Sequence, residues 1–578
     1  TCVLDILRHV LRCAFSKKQN AAIHWAMLAL GLSDLPSDRV MDDIDKYLQK
    51  MCGVQSIRYS GKLGHVYYVN DLAAIIAQEM SNPTVREHLH FLPEDTKPSL
   101  SQAWQAGRWL DELDSDLTTP MIRIHGQDFY INEPALLSNG VVCMPVRWFK
   151  RRDKIFGRVL KMRFASETRI DKGWIVEGGQ EFIVDESDLL TAFPALVTTH
   201  VSRGLPDPRL IFGIEINGEL SKWTKTNAVE GNRWRKLSAG HRVLAFPIWL
   251  YCDDTSGNTS KKWNKHNSFL FTAAGLPRQY VHRESNIHFL STSNIAPPLE
   301  MLDGIVDQLD GVWAWDSQYQ ELVLVIPSVL AMLGDNPMQS EFACHIGFRG
   351  RFFCRACWVR GDPEQSDDDD EEENEPDGSG SDTSSVASGT GSKKTTGEGK
   401  KKRKKKKDET VLDMISRIRQ FMSRAQQRTA RETRKELRSQ FKTASKVGGQ
   451  AGFKRQKTES GIKDTFQGAF LDRIFAISTK RGRNKVQKQA DIAALLRTFP
   501  ADITMAGHNT DLFGPDFDPH QDTPVEILHV ILLGFVKYFW RDAVARVKKS
   551  DHEILISRLS SFNVSGLGIS ALPILIIL

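Results

Sequence analysis

Two apolar runs in the chain each stop at aspartate. Residues Ala245 to Cys252 lead into Asp253 and Asp254, and Thr255, Ser256, Gly257 and Asn258 follow as turn formers. Such a run reads as a buried strand delivering a carboxylate to its exposed end. A second run, Glu321 to Gly334, stops at Asp335, and Asn336 and Pro337 behind it cannot continue a helix or a central strand. Upstream, residues 1–115 follow helical spacing, with Leu4, Ile6, Leu7, Val10 and Leu11, then Ile23, Ala26, Met27 and Leu30, then an amphipathic segment from Asp42 to Met51. They predict a helical N-terminal region without a basic recognition helix. Over 116–199 the pattern changes to short alternating runs, Met121 to Ile131 and Gly173 to Val184, which predict hairpins of a small β-rich module.

Helical spacing returns in 411–500, where Met414, Ile415, Ile418 and Phe421 share one face and Arg and Lys the other. That face could lie along DNA or be an ordinary charged surface docked on a core. In the return segment, 501–578, Pro524 suits a first helical turn, and the spacing of Glu526, His529 and Leu533 places them on one predicted helix face.

A length of 578 residues implies several domains. The net charge of +6 averages over opposite blocks, so local charge is more informative than the sum. Asp367 to Glu373 is an unbroken acidic run and Lys400 to Lys407 an unbroken basic one, with a Ser/Gly/Thr-rich spacer between them; residues 362–410 therefore read as a disordered insert. The basic octet, with Lys404 inside it, resembles a nuclear localisation signal and gives salt-sensitive affinity for nucleic acid; a solubilising linker is the alternative. Arg147, Lys150, Arg151, Arg152, Lys154 and Arg158 cluster around Trp148 and Phe149, a set suited to phosphates and base stacking or, equally, to a solvated basic face.

The eight cysteines lack the density of a secreted scaffold and read as reduced thiols of a cytosolic or nuclear protein. Cys354 and Cys357 form a Cys-x-x-Cys pair with no thioredoxin-type surroundings, which favours a zinc half-site over a redox pair. The chain starts at Thr1 without a leader, and its apolar tail, Ala571 to Leu578, is too short to span a bilayer. Both termini read as cuts, and no membrane partner is expected.

Asp253, the Asp310 to Asp316 segment, Asp335, Cys354-x-x-Cys357 and the acid-x-x-His of Glu526 and His529 succeed one another in an order that resembles the CACTA (En/Spm-like) DNA transposases, of the transposon-derived kind abundant in basidiomycete fungi. The resemblance covers roughly 200–360 and 500–578, and the N-terminal third only in phrases. It implies an α/β architecture: an RNase H-like domain, a mixed sheet flanked by helices, in two parts, 200–361 and 501–578, interrupted by the disordered and helical inserts. Asp253, with Asp254 as fallback, matches the first acid, Asp335 the second, and Glu526 the third, where many relatives have aspartate. Cys354, Cys357 and His529 match elements used for a structural zinc, with Cys344, His345, His508 and His520 open as fourth ligand.

The implied chemistry is hydrolysis and strand transfer at a phosphodiester by two magnesium or manganese ions, for which three hard carboxylates are the fitting ligands. The implied partners are double-stranded DNA at transposon ends and further copies of the chain in an oligomer, in the nucleus. Three readings follow: a transposase or a copy inactivated by truncation; a non-catalytic nuclear DNA- or chromatin-binding protein that keeps the fold and the zinc; and a stand-alone nuclease.

Overall fold

A computed structural model describes residues 8, 15–32, 34–96, 100–165, 173–256, 265–348, 350–359, 410–412, 415–416, 419, 426–500, 503 and 517–561. The insert at 362–409, the candidate Lys404, Met414, Ile418, Phe421, His508 and the tail from 562 lie outside the described residues. The chain divides into two compact units, Thr1–Ile57 and Arg58–Leu578.

In the first unit, α1 (Lys17–Ala29) starts at a capping box in which Ser16 and Gln19 satisfy each other's backbone N–H. The next helix, α2 (Asp38–Cys52), is capped by Ser37. Arg8 holds Asp42 at 2.5 Å and Asp45 at 3.2 Å, both on α2. Ile23, Ala26 and Met27 lie on α1, and the segment from Asp42 to Met51 lies within α2, as their spacing predicts, while Leu4, Ile6, Leu7, Val10 and Leu11 lie outside the described residues.

Past residue 55 helical spacing is no guide, because β1 (Ser56–Ser60) and β2 (Val66–Asn70) follow. Only Tyr67 and Val69 of β2 are buried, a strand alternation too short to stand out against the helical run that follows. That run forms α3 (Leu72–Ser81) and α4 (Pro83–Arg86). A hairpin, β3 (Met121–Ile124) and β4 (Gln127–Tyr130), turns through His125 and Gly126, both at positive φ.

The β-rich module comprises β5 (Ala135–Leu137), β6 (Val142–Arg151), β7 (Lys154–Phe164), β8 (Trp174–Asp185), β9 (Leu189–Thr191), β10 (Ile211–Ile216) and β11 (Glu219–Lys222) in the order β11-β10-β8-β7-β6-β5-β9. One short helix, α5 (Phe193–Thr199), lies between β9 and β10, and another, α6 (Arg233–Ser238), follows β11. The segment 173–184, expected as a hairpin, is one continuous strand. Gly178 does not turn the chain: a Cβ there would lie 2.8 Å from Ile216 and 3.0 Å from Ile214, so the glycine lets β10 approach.

The other seven-stranded sheet takes in β12 (Arg242–Ser256), β13 (Lys265–Ala273), β14 (His288–Ser293), β15 (Val312–Asp316) and β16 (Glu321–Leu333), with α7 (Pro298–Val306) between β14 and β15 and α8 (Asn336–Phe342) after β16. Its order is β1-β2-β14-β13-β12-β16-β15. Antiparallel pairing runs from β12 through β13 and β14 to β2, while β16 lies parallel to β12 and antiparallel to β15. A parallel neighbour needs a crossover, and α7 lies within it. The ladder with β15 ends at Val325, just short of Pro327, which has no N–H to offer. The fold is thus mixed α/β, with two mixed sheets.

The helical insert contains α9 (Ala430–Ala444), α10 (Gln450–Ser460), α11 (Thr465–Thr479) and α12 (Lys485–Leu496). Ala444, Leu471, Ile474, Phe475 and Ile492 form its core. Beyond it, α13 (Lys537–Ala545) and α14 (His552–Ser560) close the described chain.

One buried ion pair fastens α4 to the β15–β16 turn. Arg86 Nε and Nη2 donate to Asp316 Oδ2 at 2.8 and 2.7 Å, and Nη1 donates to Gln318 Oε1 at 2.5 Å. With Asp316 fully buried, Arg86→Met leaves a carboxylate without its counter-charge and is expected to cost about 3–5 kcal/mol in urea unfolding. A loss under about 1 kcal/mol would mean that water replaces the guanidinium.

Candidate active site and cysteine knuckle

The parallel register of β12 and β16 brings two acids to one end of the sheet. Tyr251 pairs with Leu333, the last residue of β16, and Asp253 and Asp335 each lie two residues beyond that pair, with both charges acting on Tyr251 and Cys252. Both carboxylates are half-buried, whereas Asp254 is exposed. The strand ends approach closely because residue 334 is glycine: a Cβ there would lie 2.8 Å from the Cys252 carbonyl oxygen and 3.0 Å from Met338.

Each acid is oriented by a neighbour. Tyr251 Oη donates to Asp253 Oδ2 at 2.7 Å, and the Asp254 N–H donates to Oδ1 at 2.7 Å. Asp335 caps α8, its Oδ1 accepting the Met338 N–H at 2.8 Å. Pro337 suits the first turn of that helix, so the sequence that ends the strand also starts α8. Burial pushes the Tyr251 phenol up, and the hydrogen bond and charge of Asp253 and then the charge of Asp335 push the same way. Cys252 is also raised, first by burial and then by Glu341, Asp253, Asp335 and Asp254. The negative field at this sheet end therefore includes Glu341 of α8, an acid the sequence did not single out.

The return segment docks beside these acids. Met332 of β16 donates its N–H to the Asp522 carbonyl at 2.8 Å, and Gln339 of α8 donates to the Pro524 carbonyl at 2.6 Å. Arg108 Nε lies 2.9 Å from Asp522 Oδ1 and donates to the Leu330 carbonyl at 3.3 Å. Glu526 departs from expectation: it precedes the helix, and its Oε1 accepts the Leu528 N–H at 2.7 Å. From Leu528 to Val536 the helix winds as a wide π-type turn, so the predicted spacing of three and four does not define its face. The side chain of His529 lies outside the described residues. Among the described residues, no three His, Cys, Asp or Glu side chains gather closely enough to hold a metal ion. Asp253 and Asp335 are brought together; Glu526 is not assembled with them.

Cys354 and Cys357 sit half-buried on a knuckle, the Cys354 side chain hydrogen-bonded to that of Cys357, whose thiol is raised mainly by burial. Arg428, almost fully buried, donates Nε to the carbonyls of Cys354 at 3.1 Å and Cys357 at 3.3 Å, and stacks 3.9 Å over Trp358. Trp358 donates its N–H to the Gln426 carbonyl at 2.9 Å, and Arg428 returns one to Ala356 at 3.0 Å. Two histidines left open as zinc ligands are already engaged. His345 has Nε2 2.7 Å from the Phe352 carbonyl and accepts the Gly347 N–H on Nδ1, while burial pushes its pKa down to about 4. His520 places Nδ1 2.7 Å from the Arg355 carbonyl and Nε2 2.7 Å from Thr433 Oγ1. Cys344 is fully buried.

The aromatic residues and Arg147 of the cluster on β6 and β7 are spent inside the fold, while Arg152 and Lys154 are exposed. Trp148 and Phe149 are core residues and offer no face to a base. Arg147 is buried, donating to the carbonyls of Trp109 at 3.2 Å and Leu113 at 2.6 Å, which takes it from phosphate contact. Arg151 pairs with Asp95 at 2.8 Å, Arg158 with Asp111 at 2.5 Å, and Lys154 with Asp185 at 3.5 Å. Lys150 is half-buried, its backbone bonded to Pro93 and Asp95, and Arg152 is exposed at the positive-φ turn.

Residues 121–244 match a family described as Domain of unknown function (DUF8591). The match spans the β3–β4 hairpin and the β-rich module and stops at Leu244, upstream of Asp253. No curated protein and no solved structure matches the chain.

Asp522 supplies a pH test of the docking. Burial outweighs Arg108 and pushes this carboxyl up to about 6 from 3.8. The folded state then holds a proton that the unfolded chain releases, so the stabilisation is complete below pH ~4 and lost as pH rises through ~6, by about 3 kcal/mol. The stability gap between wild type and Asp522→Asn is expected to move by that amount in favour of the variant between pH ~4 and ~7 in urea unfolding. A gap independent of pH would put the Asp522 pKa back in the ordinary range.

Proposed function

We propose that this chain is a transposase-derived domain that hydrolyses and rejoins phosphodiesters at the ends of a DNA element. The observation that carries this reading is that Asp253 and Asp335 each lie two residues beyond the Tyr251–Leu333 pair of two adjacent parallel strands, both charges acting on the Tyr251 phenol. It is supported by a mixed sheet in which antiparallel β12, β13 and β14 lead through α7 to a parallel neighbour of β12, a plan compatible with the RNase H-like domain that the resemblance implies. Two hard carboxylates fit magnesium or manganese, and Asp253 and Asp335 are the residues that would hold it. When bound, such ions activate the attacking oxygen and stabilise the leaving one. Tyr251 and the start of α8 fix the orientation of the two acids.

A second reading, a nuclear DNA- or chromatin-binding protein that keeps the fold without the chemistry, is favoured by the position of Glu526, which caps its own helix instead of joining the pair. Incubating the chain with supercoiled plasmid carrying element ends and magnesium or manganese separates the two. On the first reading nicking appears and falls at least about 100-fold in Asp335→Ala and Asp253→Asn. Binding without nicking in all three proteins would establish the second.

The cysteine knuckle fits a zinc half-site in its donor set, with Cys354 and Cys357 as the ligands this structure brings together. On this reading zinc would brace the hinge between the sheet and the returning chain. Cys354→Ser is expected to lower bound zinc and the unfolding temperature together; unchanged zinc content would remove the metal from the knuckle.

A further inference from the structure

The helix α9 divides its residues by charge as well as by burial. Ala430, Thr433, Leu437, Gln440 and Ala444 are buried. The exposed positions of the helix are Arg431, Lys435, Arg438 and Lys442, every one a cation. At about 100° per residue these four lie within a narrow arc roughly 160° from the centre of the buried one, and they extend over about 16 Å of helix. Glu432 and Glu436 fall outside the arc and are half-buried. None of the four cations is engaged in an ion pair among the described residues.

The helix is also held firmly. Ala430 donates its N–H to Asp518 Oδ2 at 3.0 Å, Thr433 Oγ1 lies 2.7 Å from His520 Nε2, and Gln440 donates to the Ile462 carbonyl at 3.1 Å. Asp518 in turn bonds Asp522, whose carbonyl accepts from Met332 of β16. A short chain of hydrogen bonds thus links the cationic helix to β16, the strand that leads into Asp335.

We propose that the exposed face of α9 is a phosphate-backbone contact surface for duplex nucleic acid, which it fixes in position relative to the acid-bearing sheet end. For its partner class the proposal rests on the nucleic-acid reading above; it requires none of the catalytic chemistry. A duplex carries one negative charge per about 1.7 Å of axis, so 16 Å of helix faces more phosphates than it has cations, and every cation can find one. The exposed face carries no apolar side chain to sink into a lipid surface, which sets it apart from an amphipathic membrane helix.

The test is equilibrium binding of the full chain to a fluorescent duplex of arbitrary sequence, without divalent metal, across roughly 50–200 mM salt. In the combined variant Arg431→Gln, Lys435→Gln, Arg438→Gln, Lys442→Gln, the slope of log affinity against log salt is expected to shrink by about 3–4, with affinity down tenfold or more at the middle of the range. A control with Lys161→Gln, Lys222→Gln, Lys225→Gln and Arg278→Gln, all exposed positions outside the helical insert, is expected to keep the wild-type slope within about one. Equal losses in the two variants, or a slope change under one in the first, would overturn the proposal. So would a variant that binds duplex normally but no longer binds phosphatidylserine vesicles. Matching thermal unfolding and circular dichroism in both variants exclude misfolding as the cause. Because no metal is present, failure here leaves the nicking test of Asp253 and Asp335 untouched, and failure of nicking leaves this surface standing.

Discussion

The parallel pairing of β12 with β16 is the constraint on which the rest of the second unit depends. Parallel strands cannot be joined by a tight turn, so the chain between them forms the antiparallel side of the sheet, crosses over through α7 and returns along β15. One register then does two things. It buries an almost continuous apolar strip, from Val243 to Leu250 on one strand and Val323 to Met332 on the other, and both strips lead into a carboxylate at the same end of the sheet. A slip of one residue would turn the side chains of one strand to the opposite face and separate the acids. Gly334 tightens the arrangement by letting the backbones meet where a side chain would hold them apart.

This part of the fold was legible in the sequence because burial on both faces leaves an unbroken apolar run, and such a run has a visible end. Asp253 and Asp335 stand at those ends. Other elements left weaker marks. The two buried side chains of β2 make a pattern shorter than the helical noise around it. Gly178 and Gly179 look like a turn in one dimension, yet they sit inside one strand, and Gly178 accommodates a neighbouring strand that no local pattern announces. Glu526 looked like part of a helix face because its spacing to His529 assumed an α-helix, and the wide turn after Ile527 breaks that assumption. Asp522, which does meet β16, sits among turn-forming residues where spacing carries no signal.

Arginine was the hardest residue to read. A run of basic residues suggests a surface for anions, but guanidinium groups also satisfy carbonyls that a loop leaves without partners, and their planar faces stack on aromatic rings. Arg147 satisfies carbonyls, Arg86 stacks on Phe91 and Tyr319 while paired with Asp316, and Arg428 does both, each of the three being buried. What distinguishes the cations of α9 from these is geometric, since they lie opposite the buried side of a helix whose other face is already filled. Charge counting cannot tell the two situations apart; knowing which way the helix is packed can.

The knuckle has a consequence for how the chain can change length. Trp358 donates its N–H to the Gln426 carbonyl, so the stretch of sequence between these two residues has its ends fastened to each other. The entropy of tying such ends grows only logarithmically with the length between them, about 0.6 kcal/mol for each doubling. Sequence added between those fastened ends therefore carries little entropic penalty, while a single residue added between Leu333 and Asp335 would move the acid away from the end of β16. Tolerance to insertion here is set by where the ends are fastened.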